Sequence, residues 1–195
     1  MFIRHFFGLV ALSLAGCAAN KAVPTAPNLG MEHFRTTITQ TPLGSGSQIK
    51  LSTEKGYEEP FDTPRDFKAS YLVATLDRRT GIAGFALNVM DSTTHPRVKA
   101  KVTYESPAGW MEQTVRVQSG ARKCRDGDCW NLESITVPLQ EELLRAYAKR
   151  QGGGATGAWQ YRIEPDLTGV IAYAEMAGLL DRVDEVRTRA QPNPE

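Results

Sequence analysis

Three cysteines, three histidines and one carboxylate inside an apolar run are the side chains that could do chemistry in this 195-residue chain. Cys17 ends the stretch LSLAGC and places a thiol nucleophile at the edge of a membrane-seeking segment. Cys124 and Cys129 share the short stretch KCRDGDCW. His33 and His95 lie far apart, and His95, in Thr-Thr-His-Pro, reads as an exposed loop residue. A zinc site draws on three or four Cys, His or acidic ligands at recognisable spacing. No such set occurs here, so neither a metal nor a cofactor is expected. Glu175 sits inside GVIAYAEMAGLL, where burial would raise its pKa toward acid/base work. Its plainer reading is a carboxylate on the polar strip of a helix, or one paired with an arginine. If the protein is an enzyme, Glu175 or His95 carries the acid/base role. No G-x-S-x-G elbow marks a serine nucleophile, and the glycine runs at 44–47 and 152–154 lack the Lys-Ser/Thr of a phosphate loop.

The residues ahead of Cys17 give its thiol an address. Arg4 makes a short basic start, and the run from Phe6 to Ala15 is apolar except for Gly8 and Ser13. That is the pattern of an export signal. It falls short of the about 20 apolar residues that span a bilayer. Leu14, Ala15, Gly16 and Cys17 resemble the lipobox of bacterial lipoproteins. The resemblance implies a signal peptide over 1–16, cleavage before Cys17, and a thioether-linked diacylglycerol on that sulfur. A third acyl chain of the palmitate kind usually follows on the freed amine. Each buried CH₂ contributes about 0.8 kcal/mol, so two or three chains give lasting attachment. Ala18 stands where an aspartate would imply retention at the inner membrane. The resemblance therefore implies the outer membrane, with the protein facing the periplasm.

An exported chain meets an oxidising compartment, so Cys124 and Cys129 are expected to form a disulfide. Asp126-Gly127 is a two-residue hairpin signal, since both residues tolerate the positive φ of a type I′ turn. With those two as the loop, Arg125 pairs with Asp128 and Cys124 faces Cys129 in a non-hydrogen-bonded pair. Opposed Cα atoms are about 4.5 Å apart there, within disulfide range. A redox-active pair would want C-x-x-C and a helix N-terminus, and neither is present. Calcium ligation by Asp126 and Asp128 falls short of the loop that such a site needs.

The elements that position these residues follow from pattern. Residues 17–30 read as a flexible, proline-bearing tether, residues 31–188 as a single domain, and 189–195 as a frayed tail. The formal charge of +1 becomes zero once Arg4 leaves with the signal, which argues against nucleic acid as a partner. Strands are predicted at 33–41, 48–53, on both sides of a turn within 70–92, at 97–105, at 113–124, at 129–139 and at 158–165. In 97–105 the alternation puts Val98, Ala100, Val102 and Tyr104 inward and Arg97, Lys99 and Lys101 outward. Trp130 and Ile135 differ in parity, which calls for a bulge near Glu133 and Ser134. Pro138 reads as the first residue of a helix that buries Leu139, Leu143, Leu144 and Tyr147. A second helix is predicted over about 169–186, capped by Asp166 or Thr168. The fold class is α+β: a largely antiparallel β-sheet with two helices near the C-terminus.

The body also resembles a diffuse group of proteobacterial envelope lipoproteins with an Asp-basic-basic-Thr-Gly turn, here Asp77 to Gly81, and a late cysteine hairpin. That likeness implies architecture and no particular activity. The expected function is a non-enzymatic binding or assembly module, with the membrane reached through Cys17 and an envelope protein as a possible partner; the alternative is an enzyme on cell-wall or lipid substrates that uses Glu175 or His95. Arg116, Arg122, Lys123 and Arg125, with Trp110 and Trp130, form a basic and aromatic group that reads as a solvated face or as a contact for anionic head groups or a partner.

Overall fold

A computed structural model describes residues 29–44, 46–53, 57–58, 68–125, 127–150 and 157–190. The signal at 1–16, Cys17, most of the tether, Asp126, the glycines at 152–154 and the tail after residue 190 lie outside the described residues. The elements in chain order are α1 (Met31–Thr37), β1 (Thr39–Leu43), β2 (Gln48–Ser52), β3 (Tyr57–Glu58), β4 (Lys68–Asp77), β5 (Ala83–Thr93) and β6 (Lys99–Ser106). They continue with β7 (Gly109–Arg125), β8 (Asp128–Leu139), α2 (Glu141–Ala148), β9 (Ala158–Ile163), β10 (Leu167–Ala172) and α3 (Tyr173–Ala190). Every strand pairing among them is antiparallel. The α+β class with a largely antiparallel sheet is therefore what the chain adopts.

The strands form one sheet in the order β1-β2-β4-β5-β8-β7-β6-β9-β10, with β3 beside the start of β4. The long strand β7 joins two halves. Its first part, up to Arg116, pairs with β6, and its second part, from Val117, pairs with β8. The sheet coils until β10 lies beside the start of β4. Inward side chains from both halves share one core: Ile49, Leu72, Leu87, Ile135 and Val137 from one, Val102, Trp159, Tyr161 and Ile163 from the other. Helix α3 adds Met176, Leu179, Leu180 and Val183 to it. Each such aliphatic side chain contributes about 1.5–3 kcal/mol on burial, which is what closes the two halves on one another.

Several expectations are corrected. Residues 33–37 are helical, not strand. Phe34 is fully buried beside Ala172 and Ala174, and the hydroxyls of Thr36 and Thr37 donate to the carbonyls of Glu32 and His33 at 2.9 Å. Tertiary packing and local back-bonding override the β preference of the threonines. A Cβ at Gly178 would come within 2.9 Å of the Arg35 amide nitrogen, so only glycine lets α1 approach α3 this closely. Pro138 stays in β8 opposite Ala86, and α2 begins three residues later. Leu139, Leu143, Leu144 and Tyr147 are buried all the same. Residues 167–172 are strand β10, and the last helix runs from Tyr173 to Ala190, so Asp166 and Thr168 cap nothing. A third helix, α1, joins the two expected near the C-terminus. The register shift lies on β7, between Ser119 and Arg122, because β8 keeps unbroken register with β5 from Thr93↔Asn131 to Phe85↔Leu139.

Candidate functional site

The β7–β8 hairpin ends as its turn signal predicts. Cys124 faces Cys129 and Arg125 pairs with Asp128. The sulfurs are bonded at 2.08 Å with Cα atoms 4.1 Å apart. Gly127 holds φ at 85°, a value that a side chain would resist. Arg122 and Lys123 are exposed beside the bridge. The aromatic group expected with them does not form, because Trp130 is buried and Trp110 stands at the opposite end of β7.

Glu175 and His95 are not brought together by any contact among the described residues. Glu175 sits in the first turn of α3 and is only 1% exposed. It neither faces solvent nor relies on a surface strip. The Thr53 hydroxyl donates to its Oε1 at 2.5 Å, and the Leu72 amide donates to the same oxygen at 3.3 Å. The Leu72 amide also reaches the Thr53 hydroxyl at 2.9 Å. These bonds tie α3 to the end of β2 and the middle of β4. His95 is exposed between β5 and β6, where its Nδ1 lies 2.9 Å from the Thr94 hydroxyl.

A second buried carboxylate was not legible as such. Glu133 faces Asp91 across β8 and β5, and its side chain is 0% exposed. Arg97 leaves the basic face expected of it and turns inward. Its Nε donates to Glu133 at 2.7 Å, its Nη2 to Asp91 at 2.5 Å, and its amide to Glu133 at 2.5 Å. Burial raises the Asp91 pKa, and the Arg97 hydrogen bond only partly opposes it. Val98, expected in the core, is 76% exposed because the strand begins only at Lys99.

A further charge network joins α2, α3 and the β4–β5 turn. Arg187 donates to Glu141 and to the carbonyl of Gly81, and Arg145 bridges Glu141 and Asp184. The Arg187 hydrogen bond, with help from Arg145, holds the Glu141 carboxyl down at about 2.

An open concavity lies on the outward face of β6, β9 and β10. Trp159, Tyr161 and Ile163 turn into the core, so Gln160, Arg162 and Glu164 turn out. With Thr103, Asp166, Thr168 and the ring of Trp110 they line a groove of about 660 Å³. Trp110 is 54% exposed, and the Arg162 guanidinium lies 5.5 Å from its ring centroid, within cation–π range. Lys101 neutralises Glu164 at 3.3 Å and Glu112 at 2.8 Å. Neither Glu175 nor His95 lines this groove.

Among the described residues no three His, Cys, Asp or Glu side chains are grouped to hold a metal ion, and no helix is long and apolar enough to cross a membrane. No protein-family model matches the chain, and no curated protein or solved structure is significantly similar to it.

Proposed function

We propose that the chain is a lipid-anchored lipoprotein of the bacterial envelope, held by an acylated Cys17 at the outer membrane and facing the periplasm. There it serves as a non-enzymatic binding or assembly module. One observation carries this reading: the run Leu14-Ala15-Gly16-Cys17 behind a basic start and an apolar stretch too short to span a bilayer. Two features support it. The bridged pair Cys124–Cys129 suits an oxidising compartment. The chain between Cys17 and Leu29 reaches at most about 40 Å when extended, so the body stays within reach of the leaflet.

The test is Cys17→Ser in the full chain, followed by cell fractionation. The protein is expected to keep its leader unprocessed and to be lost from the outer-membrane fraction. Continued sedimentation with outer membranes and unchanged processing would refute the anchor. A binding role also predicts that Glu175→Gln and His95→Ala both complement a deletion strain. Loss of complementation by either variant, at normal abundance, would favour an enzyme.

A further inference from the structure

The groove on the outward face of β6, β9 and β10 gathers several polar side chains without a protein partner among the described residues. Arg162 and Asp166 make no ion pair among the described residues, and the side chains of Thr103, Gln160 and Thr168 make no hydrogen bond there. The buried and half-buried cations of the molecule are spent on carboxylates: Arg97 with Glu133 and Asp91, and Arg187 and Arg145 with Glu141 and Asp184. In the groove the free cation and the free carboxylate balance formally. Lys101 is shared between Glu164 and Glu112, so the groove keeps no excess positive charge to select an anion.

What remains is an aromatic platform beside planar hydrogen-bonding groups. An indole offers an apolar face with a polar edge. A guanidinium, a carboxylate and a primary amide each present two donor or acceptor positions side by side. A pyranose ring has the matching surface, with adjacent hydroxyls around its rim and a C–H face that can lie on an aromatic ring. The volume of about 660 Å³ falls within the roughly 300–1,000 Å³ typical of ligand clefts.

We propose that this groove binds a neutral oligosaccharide. One sugar ring lies on the exposed face of Trp110, and its hydroxyls are read by Gln160, Arg162 and Asp166, with Thr103 and Thr168 at the floor. The Arg162 guanidinium, 5.5 Å from the indole centroid, holds the ring in place. This deepens the binding-module reading, and rests on it, by naming the class of ligand.

The molecule carries its own reporter. It has three tryptophans, of which Trp130 and Trp159 are buried and Trp110 is open. The full-length protein, in a detergent without a sugar headgroup, is titrated with cellotetraose and with chitotetraose. Calorimetry gives the affinity and tryptophan emission locates the site. A saturable heat and a matching emission change are expected with at least one of the two sugars. Arg162→Gln keeps the reporter and should weaken binding about tenfold, the scale of one lost charged hydrogen bond. Trp110→Ala should lose both the emission change and at least about tenfold in affinity. Absence of heat with both sugars would overturn the proposal. So would equal affinity in both variants, or binding of an uncharged hexapeptide in place of either sugar. Because the assay is done in detergent, a failed anchor leaves it untouched, and failed sugar binding leaves the anchor standing.

Discussion

Arg97, at the entry to β6, and Arg162, in β9, belong to the same coiled sheet and meet opposite surroundings. Arg97 turns inward and holds two carboxylates that are themselves out of water, Glu133 and Asp91. Arg162 turns outward over an exposed indole, with no carboxylate on it among the described residues. The difference separates two kinds of cation. One is committed to the fold, because removing it strands two buried negative charges. The other adds little to the fold and is free to meet something else. The inward side chains of both halves of the sheet, closed by α3, carry stability. The outward face of β6, β9 and β10 carries the chemistry left over.

That contrast can be broken at several points. The largest effect is expected at the buried trio. Arg97→Ala should destabilise the protein by about 3–5 kcal/mol, since it leaves Glu133 uncompensated in the core. Urea unfolding monitored by circular dichroism measures this, and a loss below 1 kcal/mol would mean that Arg97 is as dispensable as Arg162. Next comes the bridge at the tip of β7 and β8. Replacing both Cys124 and Cys129 by serine should cost about 2 kcal/mol, the closure entropy of so short a loop. The rest of the sheet should keep its spectrum, because the bridge fixes a hairpin end.

A smaller effect is expected from the network on α2 and α3. Glu141 has a folded pKa of about 2, below its ordinary 4.5. A depressed carboxylate stabilises the folded state above the unfolded pKa, and that contribution is lost as pH falls from about 4.5 toward 2. Solvent screens the network, so the loss should be about 1 kcal/mol. Comparing the acid unfolding of Glu141→Gln with the parent reads it directly, since the variant should lack this part of the pH dependence. Smallest of all, Arg162→Gln and Trp110→Ala should each change unfolding free energy by no more than about 0.5 kcal/mol, as surface changes do. A large destabilisation by either would place the groove among the structural parts of the molecule.

Much of this architecture is written in local pattern. The turn at Asp77 to Gly81, the alternation of Trp159, Tyr161 and Ile163, and the Asp-Gly hairpin between the cysteines each fix an element within a few residues. The failures share a cause, which is that pairing partners distant in sequence decide them. Val170, Ile171 and Ala172 form a continuous apolar run with no period, and only β9 beside it makes it a strand. Thr36 and Thr37 favour strand until Phe34 docks against Ala172 and Ala174. Arg97 reads as solvent-facing because Glu133 is 36 residues away. Glu175 reads as a surface carboxylate because Thr53 and Leu72 come from another part of the chain. The outward parity of Gln160, Arg162 and Glu164 was readable from β9 alone. The groove was not, because it needs β10 as its second wall and Trp110 from a separate hairpin.

On the proposed reading, all of these side chains act where an acylated Cys17 would hold them. The most direct test is the mass of the N-terminal peptide from the full chain extracted out of bacterial envelopes. The account predicts a peptide that begins at Cys17 and carries the added mass of a diacylglyceryl thioether, with residues 1–16 absent. A peptide that retains residues before Cys17, or an unmodified cysteine at that position, would contradict it.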